Sequence, residues 1–577
     1  MNAKTLKALL LAVFFLVIQN ELLGQTNSEP ARYDVIISEI MAKPTPEVGL
    51  PAVEYVELHN RLPHPVHLQN WRLKLGNTVK NLPDITLDSC GYGVIIAQKY
   101  QEDFAPFCDH FVTLSSLAIT DGGQSLTLYD HHSEVIHYVN FKKSWHTETI
   151  KQEGGWSLEI IDDNWPCAGS WNWDSSTDPS GGTPGRPNSI RSTLNDNTLP
   201  IITGVTLIDS ATLRLHFAKT IDQSITEDIS LFQVLPYLKI LRISEVAPEF
   251  SSIDIAFSEP VNPEIRYRLI LNGTLVDCGG NSYLMREEVP FGIAHLPTEN
   301  DLVINEILTN PAGGENADYL EIYNRSDHII DLKEVKVGYG GDTMPQKAVT
   351  AVSKGHQLQP KEHVALCRQR EVTLLQYICK DERRLIACDS LPDFAISQGV
   401  IHLTDRSLHP IDRLEYNEKM HYSKLLTTKG VALERLYVDR PTQDESNWRS
   451  AAESAGYGTP GYRNSQVGCA ESDAEFAIVP EVFSPDNDGF EDYTEILSQF
   501  AEDENRVTIV VYNSRGHPVK QLANNVLCGN EARFRWDGDD DNGNPAPAGM
   551  YVVQMESWNL RSQKTFRKRK VVSIFRQ

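Results

Sequence analysis

Apolar residues recur at every second position in short runs along this chain, and each run ends in Gly, Pro, Asn or Asp. The runs include VEYVELHN (53–60), SLTLYD (125–130), TLRLHF (212–217), SIDIAF (252–257), YRLILNG (267–273), VTIVVYN (507–513) and YVVQME (551–556). A period of two places alternate side chains on opposite faces of a strand, so each run predicts a β-strand with one face in a core. Helical spacing is almost absent. The pattern therefore predicts an all-β protein.

The alternating runs are themselves repeated. Ile37, Glu39 and Ile40 return as Ile304, Glu306 and Ile307, and Tyr55, Glu57, Leu58 and Asn60 return as Tyr319, Glu321, Ile322 and Asn324. SLEIIDDNW (157–165) and GTPGRPNS (182–189) are answered by ALERL (432–436) and GTPGYRNS (458–465), with Trp173 corresponding to Trp448. A unit of roughly 160 residues is far longer than a solenoid repeat, so two tandem copies of a whole domain are predicted. Turn-rich stretches at 175–198 and 458–473 close the copies. The boundaries so placed are 25–190 and 300–466 for the two copies, 199–299 for a sandwich between them, and 470–577 for a last strand-rich domain.

Ahead of the first copy, Lys4 and Lys7 precede the apolar run 8–18, with Gly24-Gln25 as a cleavage point, so residues 1–24 read as a signal peptide. No second apolar stretch approaches membrane-spanning length, and the mature chain is expected to carry no transmembrane segment. The formal charge is −25. Such an acidic surface repels nucleic acid phosphates, which are not expected as a ligand, and favours divalent cations. Nine cysteines (90, 108, 167, 278, 367, 379, 388, 469 and 528) are an odd number, so at least one stays unpaired. Cys90 with Cys108, and two of Cys367, Cys379 and Cys388, are the candidate pairs; no CxxC spacing suggests zinc.

The VIISEI, EYVELHN and GTPGRPN segments resemble the lamin-tail domain, an immunoglobulin-like β-sandwich, and the resemblance extends to both copies. LRLHFAKTID (213–222), FSEPVN (257–262) and LVDCGGN (275–281) resemble bacterial Ig-like domains, with Cys278 where an aliphatic or small residue is usual and Gly279 where Ala is common. VFSPDNDGFEDYTEI (482–496), VTIVVYNSRGHPV (507–519) and RWDGDDDNGNPAPAGMYVV (535–553) are similar to the C-terminal domain of gliding-motility-associated proteins, whose second half resembles the Ig-like domain of the flagellar hook-capping protein. That last resemblance implies export across the outer membrane of a Gram-negative bacterium by a type IX-like secretion machinery, the one partner it names. The whole chain then reads as tandem immunoglobulin-like β-sandwiches.

Candidate chemistry is sparse. Asp486, Asn487, Asp488 and Asp492 gather oxygen donors around Gly489, an arrangement that suits either a calcium ion or an ordinary acidic turn. Asp537, Asp539, Asp540, Asp541 and Asn542 form a second acidic cluster open to the same two readings. Glu39 with Glu57, repeated as Glu306 with Glu321, is the one recurring carboxylate pair; it fits acid–base chemistry in principle and a solvated sheet face more simply. His59, His64 and His67 are separated by Pro63 and Pro65 and read as a turn, and His131-His132 beside Asp130 reads as a loop. The basic cluster Lys564, Arg567, Lys568, Arg569 and Lys570 suits an edge strand guarded against pairing, or a contact with the secretion machinery. No GxSxG, HExxH or GxxxxGK[ST] occurs. The expected function is non-catalytic adhesion, scaffolding or binding of a surface glycan or protein, with the loops 41–52 and 338–355 as places to look; an extracellular hydrolase or its accessory is the competing class.

Overall fold

The computed structural model describes residues 29–577 except 196–198, 313–316, 389, 424, 467–474, 487–490, 501, 563 and 577. The predicted signal peptide lies outside the described residues. Among those described, the chain is all-β, and no helix is long and apolar enough to cross a membrane.

The first six-stranded sheet runs in the order Trp173–Ser175, Leu158–Ile160, Val35–Met41, Tyr55–Asn60, Tyr92–Ala97 and Phe111–Leu114. All its pairs are antiparallel except the last. It packs against a four-stranded sheet, Val135–Lys142, Gly123–Tyr129, Arg72–Leu75 and Thr78–Asn81, over a core that includes Ile36, Leu58, Trp71 and Leu128.

The same arrangement recurs further along. Trp448–Ser450, Leu433–Arg435, Leu302–Leu308, Tyr319–Asn324, His363–Cys367 and Leu385–Ala387 form the matching six-stranded sheet, again closed by a parallel pair. Its partner is Lys347–Thr350, Val335–Tyr339, Gln398–Asp405 and Pro410–Asn417. Even the irregularity is copied: the register slips between Ile37 and Glu39 in one sheet and between Ile304 and Glu306 in the other. A bulge leaves one residue unpaired and re-aims its neighbours, and here it sets the two glutamates in register with the strands on either side.

Between the two lies a sandwich of four strands (Ile202–Asp209, Thr212–Phe217, Ser252–Phe257, Ile240–Glu245) on three (Phe232–Leu235, Tyr267–Val276, Ser282–Phe291). It is fastened on both sides. Cys167 of the first unit forms a disulfide with its Cys278, and Arg32 makes a forked ion pair with Glu245 at 2.7 and 2.9 Å. Toward the second repeat, Gln357 exchanges two hydrogen bonds with the backbone of Gly292 at 3.1 and 2.8 Å, and His216 Nε2 lies 3.0 Å from the Lys354 carbonyl.

The last unit stacks Glu475–Val479, Thr494–Gln499 and Glu531–Trp536 on a five-stranded sheet, Val482–Phe483, Thr565–Ile574, Gly549–Asn559, Asn505–Asn513 and Pro518–Cys528. Thr565–Ile574 meets its outer neighbour only at Ser573 and Ile574. Its basic residues therefore stand along an open edge, where charge discourages pairing with another chain.

Disulfide pairing departs from the sequence expectation. Cys90 and Cys108 are thiols, as are Cys367 and Cys379, and the bridge that forms joins two units across 111 residues of chain. Spacing favours local partners because it carries no information about which units dock.

Candidate functional site

The repeated carboxylates do not lie on a solvated face. Glu39, Glu57 and Glu159 are completely buried, as are Glu306, Glu321 and Glu434. Glu39 stands opposite Glu57 on one side and Glu159 on the other. The sheet face they share is covered by the closing segment 181–190. Thr183 donates its amide to Glu39 Oε1 at 2.8 Å and its hydroxyl to Glu159 Oε1 at 2.9 Å, and the Gly185 amide reaches Glu57 Oε2 at 2.6 Å. Tyr55 and Ser157 donate to Glu39 at 2.7 and 2.5 Å, and Ser38 donates to Glu57 at 2.7 Å. GTPG thus reads as a strap: backbone donors and one hydroxyl satisfy three acids that water cannot reach.

The second repeat builds the same cage. Thr459 donates its amide to Glu306 at 2.9 Å and its hydroxyl to Glu434 at 2.9 Å, and the Gly461 amide meets Glu321 at 2.6 Å. Asn305, standing where Ser38 does, donates to Glu321 at 2.7 Å. Burial, with the neighbouring Glu159 carboxylate, pushes Glu39 up to about 7, and burial pushes Glu434 up to about 7. Burial also drives Glu57 and Glu306 well above the usual carboxylate range. Elevated carboxyls often mark catalytic sites. These instead sit beneath a covering segment whose donors hold them, an arrangement that suits internal latches.

The other sequence candidates separate. Asn487 and Asp488 lie outside the described residues; of the proposed calcium turn, Asp486 accepts from the Ser484 hydroxyl at 2.9 Å, and Asp492 is described beside it. The second acidic cluster is not a cage. Asp539 pairs with Lys520 at 2.6 Å, Asp537 with Arg535, and Asp541 accepts from the Gln521 amide, while Asp540 turns back on Asn542 and Asn544. Backbone and side-chain donation from Asn544 lowers the Asp540 carboxyl. His59 stacks on Tyr92 with ring centroids 4.4 Å apart, and His67 bonds Thr86 at 2.7 Å, away from it. Loop 41–52 is pinned, Leu50 donating to Ser180 at 2.9 Å and Lys43 accepting from Gly155 at 2.8 Å.

An open cleft of about 1340 Å³ lies where the three N-terminal units meet. The first unit supplies Trp165 and Trp171, set edge to face with centroids 5.5 Å apart, and Trp171 is 45% exposed. The middle sandwich contributes Lys219 and Asp277, paired at 2.9 Å beneath the Trp165 ring. The helix Arg370–Gln376 and Arg383 of the second repeat form the far wall, where Arg383 reaches across to Glu287 at 3.0 Å.

With this geometry in hand, comparison with known proteins divides the chain. Residues 28–143 match the Lamin Tail Domain. Residues 477–572 match the CHU_C Type IX secretion signal domain. No curated protein matches. Among solved structures, surface layer protein SbsC, domains 1-6, is 10% identical over 65% of this chain and 54% of that one, with a TM-score of 0.15. Dimeric latent PorU from Porphyromonas gingivalis is 11% identical over 70% and 35%, and PorZ, a surface component of that organism's type-IX secretion system, is 9% identical over 79% and 56%, each with a TM-score of 0.15. The chain spans about half the length of these solved proteins, or less, and likenesses this loose carry no argument.

The lamin tail match stops at residue 143, before Glu159 and the strap that completes the cage. The cleft also owes its aromatic wall to a segment beyond that match. NWPCAGSWNW (164–173) carries Trp165, Cys167 and Trp171, and the corresponding stretch of the second repeat before Trp448 has none of the three. That divergence was the available signal for the cleft. It stood beside the departure at Cys278 and Gly279, which the structure explains: Cys278 bonds Cys167, and the Trp165 indole occupies the space that a methyl group on residue 279 would take.

Proposed function

We propose that this chain is a non-catalytic extracellular binding protein, carried out of the cell through its C-terminal domain by a type IX secretion machinery and displayed at the surface or released. The match of residues 477–572 to a type IX secretion signal domain supports the export reading. In this reading residues 300–466 are a second lamin-tail domain, supported by the shared strand order, bulge and buried acids, and residues 199–299 are an Ig-like spacer. The spacer, fastened at both ends, sets the distance across the cleft.

The ligand we assign to the cleft is an oligosaccharide. Indole faces such as that of Trp171 pack against the C–H face of a sugar ring, and planar carboxylate and guanidinium groups such as Glu287 and Arg383 meet its hydroxyls. The non-catalytic reading rests on the acids. The one carboxylate pattern that recurs in both repeats is buried and held by hydrogen bonds, which supports a structural part for it.

Calorimetry of the mature chain against a panel of surface oligosaccharides tests this. Binding that falls at least tenfold in Trp171→Ala, with the melting temperature unchanged, is the expected result. Cleavage of a saccharide or of DNA by the wild-type chain would overturn the non-catalytic reading, and equal binding by the variant would remove the cleft.

A further inference from the structure

The hairpin of strands Gly123–Tyr129 and Val135–Lys142 turns through residues 130–134. Its tip is rigidly built. Asp130 Oδ1 accepts from the backbone amides of His132 and Glu134 at 2.9 and 2.7 Å, and Ser133 takes φ 74°. This turn projects the imidazoles of His131 and His132 side by side, with ring centroids 3.9 Å apart.

Glu29 comes from a different part of the chain to face both. Its Oε2 lies 3.0 Å from His132 Nε2 and its Oε1 3.6 Å from His131 Nε2. One donor atom from each of the three residues lies within 4.8 Å of the other two, and no other group of three His, Cys, Asp or Glu does so among the described residues.

We propose that Glu29, His131 and His132 form a binding site for a divalent transition metal of the zinc type. Two imidazole nitrogens and one carboxylate oxygen are borderline-to-hard donors that suit zinc, nickel or copper; calcium and magnesium prefer oxygen alone. A dication at the shared point lets all three groups act as electron-pair donors. The exposed side of the cluster leaves water to complete the coordination.

The site has a structural consequence. From Glu29 the chain runs through Ala31, whose amide donates to Asp34 at 2.7 Å, to Arg32, whose guanidinium lies 3.4 Å over the Phe250 ring and forks onto Glu245. Tyr33 then donates its amide to the Ile136 carbonyl at 2.8 Å. The metal therefore clasps the 29–34 segment to the hairpin at the same place where Arg32 ties that segment to the middle sandwich.

The test is calorimetric titration of the mature full-length chain, prepared without a polyhistidine tag, with zinc chloride in a chelator-free buffer. One equivalent of zinc should bind, and a cobalt-loaded sample should show the visible band of low-coordinate cobalt. His131→Ala/His132→Ala should weaken binding at least a hundredfold, and Glu29→Gln about tenfold, with circular dichroism unchanged because all three side chains are exposed. Zinc should slow proteolysis in the 29–34 segment of the wild type and leave the double variant unaffected. Failure of the wild type to take up zinc at 0.1 mM, or equal uptake by the double variant, would overturn the proposal.

Discussion

Glu39 and Glu159 face each other at one register position of neighbouring strands, and Thr183 bridges them with its amide on one carboxyl and its hydroxyl on the other. Neither acid reaches water. Burial and the facing carboxylate raise Glu39 from 4.5 to about 7, so the fold favours its protonated form. The stabilisation is fully present below the unfolded value near 4.5 and is lost as the pH rises through about 7. One group shifted this far accounts for roughly 3 kcal/mol. Urea unfolding of the wild type and Glu39→Gln at pH 5 and pH 7.5 should show the wild type gaining on the variant as the pH falls. Parallel pH dependence would remove this account of the latch.

His137 works in the opposite direction. Its Nδ1 accepts from the Ile37 amide at 2.9 Å, so Nε2 carries the proton and donates to the Pro166 carbonyl at 3.0 Å. Burial lowers the imidazole to about 4. Its stabilisation is present above the unfolded value near 6.5 and lost as the pH falls through about 4. His137→Gln keeps an acceptor and a donor without a titrating ring, and should flatten the loss of melting temperature between pH 6.5 and 4. In the second repeat Asp412, not a histidine, takes the equivalent amide, of Ile304, at 2.8 Å.

Alternation along the strands was enough to read the fold class, because it reports which face meets a core. It misread the face carrying Glu39 and Glu57. Glutamates at alternate positions look solvated unless something covers them, and the covering strap at Thr183 and Gly185 lies well over a hundred residues away in the chain. Glu159 was visible as the repeated Leu-Glu, but nothing local ties it to Glu39. The cleft, the Cys167–Cys278 bridge and the meeting of Glu29 with His131 and His132 depend on how separate segments dock, which periodicity within one segment does not encode.

The strap also needs its first glycine. A Cβ at Gly182 would lie 2.8 Å from Glu39 Oε1 and collide with the Tyr55 hydroxyl, and one at Gly458 would lie 2.6 Å from the Tyr319 hydroxyl. Gly182→Ala should destabilise the first unit by about 1–3 kcal/mol, the usual cost of overpacking. Gly122→Ala, where nothing lies within 4 Å, should be neutral within about 0.5 kcal/mol. Thermal melting of the two variants compares them directly, and equal effects would show that the strap tolerates displacement.

Closing 111 residues of chain, the Cys167–Cys278 bridge should hold the first unit and the middle sandwich together during unfolding. Loss of a native disulfide typically costs about 2–5 kcal/mol. In Cys167→Ser/Cys278→Ser the calorimetric transition of these two units should move down and broaden or split. A reducing agent should shift the wild type toward that profile and leave the variant unchanged.

The most direct measurement is the location of the protein in its native host with and without residues 470–577. The full chain is expected at the cell surface or in the medium, with the truncated chain retained in the periplasm yet folded, as judged by resistance to protease. If both forms reach the surface alike, the C-terminal domain is not the export address and the central claim fails.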